Sequence, residues 1–108
     1  MPSARRKNRK QQASESNGPL AISIAEMRER QRVCVCGKVT RMTARPTSGQ
    51  PALAVMVTDD TGTVTAVWTG RRSIGGITLG RRVAINGIAI AHGSHLEFTN
   101  PSYTLLPR

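Results

Sequence analysis

A chain of 108 residues, 38% hydrophobic but only 3% aromatic, makes one domain at most, with a core of Val, Ile, Leu and Ala. Its 16 Lys and Arg against 6 Asp and Glu leave a net charge of +10, which favours polyanions or anionic surfaces as partners and says nothing about fold. Two cysteines spaced Cys34-x-Cys36 exclude a secreted disulfide framework, and no run approaches membrane-spanning length.

Met1 to Gly18 is basic and polar, without periodicity and with almost nothing to bury, so the tail is expected to be disordered. Its cations Arg5, Arg6, Lys7, Arg9 and Lys10 suit an electrostatic arm for nucleic acid or, alternatively, a solubilising tail. Gln11 to Gly18 is polar where the apolar part of a signal peptide would stand, so a cytoplasmic location is expected. Gly18-Pro19 marks the boundary of a single domain over 19–108. Ser23-Ile24-Ala25-Glu26 has capping-box spacing and predicts a short helix at about 24–31, with Glu26 and Arg30 at the favourable spacing of four.

The first strand is expected from Arg32 to about Arg45, alternating throughout, and Thr47 to Pro51 as a loop. Leu53 to Thr69 is the clearest signal. Leu53, Val55 and Val57 share one parity, as do Val64, Ala66 and Trp68, and Asp59-Asp60-Thr61-Gly62 between them is turn chemistry. A β-hairpin follows, with Gly62 expected at positive φ. Residues 70–80, Gly-rich with Ile74, Ile77 and Leu79, suit a compact connector or a single helical turn. Val83 to Ala91 is the fourth strand, Ala91 to Ser94 a turn, and His95 to Thr99 the fifth strand. Asn100-Pro101 interrupts it, and Tyr103 to Leu106 resumes it. RVCVCGKV (32–39) and RVAINGIA (82–89) echo one another, each with a glycine where a coiled strand must bend. Five short strands in this order match an all-β architecture, the five-stranded Greek-key barrel called the OB-fold, over about 32–106.

Several motifs recur together: VxVxGxV (33–39), DDTG before an aromatic-ended strand (59–68), GRRxIxGIxxG (70–80), VxIxG (83–87) and NPxY (100–103). This framework resembles the small stand-alone OB-fold proteins of actinobacteria that are regarded as nucleic-acid-binding. More distantly, it is similar to the wedge domain of RecG-type branch-migration helicases. The resemblance implies a bacterial OB-fold that binds nucleic acid.

The residues give an enzyme little support. No carboxylate pair stands among apolar neighbours, and Gly75 to Gly80 lacks the Lys-Ser/Thr of a phosphate loop. Cys34, Cys36, His92 and His95 could in number hold zinc, but their positions along the strands place them far apart, so no metal or other cofactor is expected. Trp68 shares the apolar parity, and with Phe98 and Tyr103 is expected in the core rather than on a base-stacking platform. Arginine remains. Lys38, Arg41 and Arg45 on the first strand, with the pairs Arg71-Arg72 and Arg81-Arg82 at either end of the connector, could grip phosphates. The expected partner is therefore DNA or RNA, single-stranded or structured, contacted through its backbone with low sequence specificity. The alternative is a protein–protein interaction module that docks a protein partner on the Met56/Val67 face or a barrel edge.

Overall fold

The computed structural model describes residues 20–45 and 49–107, so the tail expected over 1–18 and its five cations lie outside the described residues. Seven strands follow in chain order: β1 (Ala21–Ile22), β2 (Arg32–Ala44), β3 (Ala52–Thr58), β4 (Thr63–Thr69), β5 (Arg82–His92), β6 (His95–Thr99) and β7 (Ser102–Leu105). All belong to one sheet. The five strands expected from periodicity are all present. The two further strands are short: β1, and the stretch after Asn100-Pro101.

β2 organises the sheet because it has different partners along its length. Its first half, Arg32–Lys38, runs antiparallel to β5, and its second, Lys38–Ala44, antiparallel to β3. β3 pairs with β4 in the expected hairpin, β4 with β6 in parallel, and β6 with the second half of β5. The pairings thus return to β2. The break at Asn100-Pro101 moves the chain across the sheet. Asn100 turns at a φ of 49°, and β7 joins the first half of β5, so Tyr103 pairs with Ile85.

Gly37 permits the changeover on β2. A Cβ there would lie 2.6 Å from the Thr58 carbonyl oxygen and 2.8 Å from Val57 Cγ1, closer than any side chain tolerates. The echoed motifs also acquire a reason. Val35 pairs with Ile85, Gly37 with Val83 and Val33 with Gly87, so the two segments are antiparallel partners whose glycines each face the other's valine.

Just beyond, the alternation expected through to Arg45 breaks. Val39 pairs with Val57 but Arg41 pairs with Met56, leaving Thr40 as the extra residue of a bulge. Val33, Val35 and Val39 point inward before it and Met42 after it, so Arg41, Thr43 and Arg45 turn outward. The sequence carries this shift as a change of apolar parity from odd to even positions.

The inner face collects Val35, Val39, Leu53, Val55, Val57, Val64, Ala66, Trp68, Val83, Ile85 and Phe98, with Ile74 and Ile77 of the connector against them. Trp68 is core, as its parity requires. Its indole N–H donates to the Pro101 carbonyl (3.1 Å), and its ring meets Tyr103 edge-on at 5.8 Å. The Tyr103 hydroxyl in turn donates to the Gly75 carbonyl at 2.8 Å, fastening the connector.

The helix expected over about 24–31 is not formed. A single 3-10 turn, Ile24–Glu26, is followed by extended Met27 (φ −62°, ψ 144°), and Arg30 sits at a φ of 69°. Competing hydrogen bonds explain this. They lie beyond the Ser23–Glu26 capping box, in which Glu26 does accept from the Ser23 N–H (3.1 Å) and hydroxyl (2.9 Å) at the start of the 3-10 turn. Further on, the Arg30 N–H donates to the Ala89 carbonyl (2.8 Å) and Glu29 accepts from the Ala91 N–H (3.1 Å), so β5 captures the segment. With only Ile24 buried and Met27 half-buried, a helix had little apolar face to set against these bonds.

Gly62 also departs from expectation, since it is not among the positive-φ residues. Asp59 shapes the hairpin turn instead. Its Oδ1 accepts from the Thr61 N–H (2.7 Å), the Thr61 hydroxyl (2.6 Å) and the Gly62 N–H (3.0 Å), while Oδ2 takes the Ile24 N–H at 2.9 Å. The turn therefore caps the 3-10 turn, and the Thr61 hydroxyl accepts from Ala25 N–H as well (3.0 Å).

Two outcomes follow from this packing. Gly37→Ala should lower stability by about 1–3 kcal/mol, read as a lower urea midpoint at unchanged slope. Hydrogen bonds from Thr61 and Ile24 hold the Asp59 carboxyl at about 2, below the ordinary 3.8. A carboxyl lowered on folding contributes fully above its unfolded value and loses that contribution as pH falls through the folded one. Melting temperature should accordingly drop between pH 4 and 2, and Asp59→Asn should melt lower at pH 7 with a flatter slope across that window.

Candidate nucleic-acid interface

Strand parity and the bulge decide which cations reach solvent. On β2, Lys38 and Arg41 are exposed on the outer face. Arg82, the first residue of β5, is exposed and stands directly opposite Lys38. Two like charges facing each other across a ladder are unfavourable on their own. Arg71 and Arg72 are exposed after β4, and Arg72 shares a cleft of about 680 Å³ with Ala44, Arg45, Gly49, Gln50, Pro51 and Ala52. Lys38, Arg41, Arg71, Arg72 and Arg82 make no ion pair among the described residues.

Two of the expected phosphate contacts do other work. Arg45 donates through Nη1 to both carboxylate oxygens of Glu97, at 3.1 and 3.3 Å. Its side chain is 39% exposed and that of Glu97 only 9%. The carboxylate sits on β6 beside Thr65, on the outer face, and His95 Nε2 stands 3.6 Å away. Small side chains make room for the long arginine, which shares a groove with Ala54 and Thr65. On this outer face Ala52, Ala54 and Val67 are buried, so Val67 is withdrawn from the Met56/Val67 docking face. Glu97 went unnoticed in the sequence, although an acid inside the fifth strand beside Phe98 is a signal for a paired, buried charge.

Arg81 is the second. Half-buried, it donates through Nη2 to the Leu106 carbonyl (3.2 Å), and its Nε is buried without a partner. Its backbone ties the connector to β2 as well, accepting from the Val39 N–H at 2.9 Å. The two arginine pairs consequently do not form one clamp. Thr69, which precedes Arg71-Arg72, pairs with Ala52 at the start of β3, whereas Lys38 and Arg82 lie at its other end beside Thr58. The six-residue separation is on the order of 20 Å, with Arg41 between.

The thiols and histidines do not converge either. Cys34 and Cys36 pair with Asn86 and Ala84, and His92, opposite His95, stands six residues farther along β5, again on the order of 20 Å. No protein-family profile matches the chain, and no curated protein does.

The Arg45–Glu97 pair predicts an asymmetry. Arg45→Ala strands a buried carboxylate and should cost roughly 2–3 kcal/mol. Glu97→Ala should cost less, because the half-exposed guanidinium can turn to water. Urea melts of the two variants and of the double variant test this.

Proposed function

We propose that the chain is an OB-fold barrel that binds DNA or RNA through backbone phosphates, with little sequence preference. The barrel reading is supported by the five-member cycle of pairings and by the parallel β4–β6 pair within it. One observation carries the binding reading: exposed Lys38, Arg41 and Arg82 have no acidic partner among the described residues, while most of the described carboxylates are engaged elsewhere. Glu97 is held by Arg45, Glu26 by Ser23, Glu29 by the Ala91 N–H, and Asp59 by its own turn. A phosphate between Lys38 and Arg82 would relieve their repulsion, and Arg41 and Arg72 would carry the strand onward along β2. Arg5, Arg6, Lys7, Arg9 and Lys10 would add contacts that follow any phosphate path. The resemblance to small actinobacterial OB-fold proteins agrees with this reading.

The second reading, a protein-interaction module, draws on Ile88 and Ile90, which are 43% and 41% exposed on the outer face of β5. Salt separates the two, because phosphate contacts weaken steeply with ionic strength whereas an apolar contact does not. Fluorescence anisotropy against single-stranded DNA, duplex DNA and RNA at two salt concentrations should give salt-sensitive binding of similar strength for every sequence of one type. Deleting residues 2–17 should flatten the log-log salt slope by up to ~3.5 on single strands, at ~0.7 per phosphate contact. Lys38→Glu with Arg82→Glu should abolish the remaining affinity without unfolding the domain. Absence of salt-sensitive binding to any polynucleotide would rule the reading out.

A further inference from the structure

Cys34 and Cys36 both stand on the outer face of β2, half-buried and two residues apart, with Lys38 next in the row. Across the ladder lie Asn86, Ala84 and Arg82. Cys36, Gly37, Lys38, Thr40, Thr58, Asp59, Asp60 and Arg82 line a groove of about 400 Å³, a size that seats a small molecule. Its acids are unequal. Asp59 directs both carboxylate oxygens at Ile24, Thr61 and Gly62, so Asp60 is the acid of the groove left without a hydrogen bond among the described residues.

We propose that Cys36 is a site of thiol–disulfide exchange with small anionic disulfides, with Lys38 and Arg82 drawing the carboxylates of the reagent into the groove. The neighbouring Cys34 thiol, and after it Arg82, lower the Cys36 thiol below its ordinary range against the opposing effect of burial. The same contact pushes Cys34 upward. Cys36 lines the groove with Lys38 and Arg82 and Cys34 does not, so Cys36 is the member of the pair that presents thiolate, the attacking species, to a reagent seated there.

Exchange with glutathione disulfide is balanced. The Cys36 proton leaves to solvent, the thiolate attacks one sulfur of the reagent, and the reagent's S–S bond breaks as the new one forms. The departing glutathione thiolate takes up a proton. No net oxidant is consumed beyond the disulfide itself.

Strand geometry decides what happens next. Residues two apart on an extended strand hold parallel Cβ atoms roughly 6.7 Å apart, whereas a disulfide needs about 3.8 Å. β2 is in unbroken register with β5 from Arg32 to Lys38, so Cys34 cannot close on Cys36 without dismantling that ladder. The mixed disulfide therefore persists. It would place carboxylates between Lys38 and Arg82, so modification would weaken polynucleotide binding, a consequence that rests on the phosphate-binding reading above.

The test treats the full-length protein with glutathione disulfide and maps the products by non-reducing intact-mass and peptide mass spectrometry. One adduct is expected, on Cys36, lost in Cys36→Ser and kept in Cys34→Ser. Glutathione disulfide should react faster than cationic cystamine by on the order of tenfold at low salt, and Lys38→Gln with Arg82→Gln should erase that preference. A Cys34–Cys36 disulfide in place of the adduct, an adduct surviving in Cys36→Ser, or equal rates for the two reagents would overturn the proposal. Anisotropy against single-stranded DNA, before and after modification, separates the two readings. Binding by the unmodified protein that survives modification sinks the regulatory consequence. No binding by either form sinks the phosphate reading and leaves the mapped adduct standing.

Discussion

β2 must serve two neighbours on two stretches of its length, and the sheet depends on how it passes from one to the other. At Lys38 it pairs with Thr58 and Arg82 at once, and Gly37 beside it lets the β3 backbone approach where no side chain would fit. The bulge at Thr40 comes immediately after. It raises the local twist and reverses the facing of the second half of the strand. One glycine and one extra residue thus bring β5 and β3 to the same strand and set cations on the outside of it.

Polar groups do the fastening at the ends. Asn100 sits at positive φ and accepts from the Thr69 N–H (3.0 Å) while its own N–H reaches the Val67 carbonyl (2.7 Å), so the turn out of β6 is tied to β4. Pro101 presents its carbonyl to Trp68, and Tyr103 reaches Gly75. The Asn-Pro-x-Tyr motif is accounted for by these four bonds. Its place in the molecule is structural, which leaves the outer face of β2 and the start of β5 as the charged surface with the fewest internal obligations.

Much of the fold was legible because alternation is a local signal that burial enforces. The hairpin from Leu53 to Thr69 shows this, with every residue of its apolar parity in the core. What escaped was set by partners far away in sequence. Arg45 and Glu97 are 52 residues apart, and nothing near Arg45 marks it as a paired charge rather than a free one. The bond that holds Arg81 was hidden for the same reason, since its partner is the Leu106 carbonyl. The helix over 24–31 failed against bonds to β5 that no capping pattern reveals. Gly62 was assigned a turn conformation that the Asp59 carboxylate makes unnecessary. Charge could be located along the chain, but which charges stay free depends on the finished sheet.

The bulge at Thr40 also divides this strand into two reading frames. Upstream of it odd positions are interior, downstream even ones, and the two frames meet at one residue. Taking Thr40 into a regular ladder, with no residue left over, would drive Arg41 and Arg45 inward and turn Met42 out to water, a change that no repacking of small side chains could absorb. The connection between Arg45 and Pro51 has no such bookkeeping, because loop length costs little. Length variation in relatives of this chain should therefore be tolerated after Arg45, and within β2 only as loss of the bulge residue itself, which leaves Val39 and Arg41 on Val57 and Met56 in a regular ladder; an apolar parity that runs unbroken through this strand would mark a relative without the bulge.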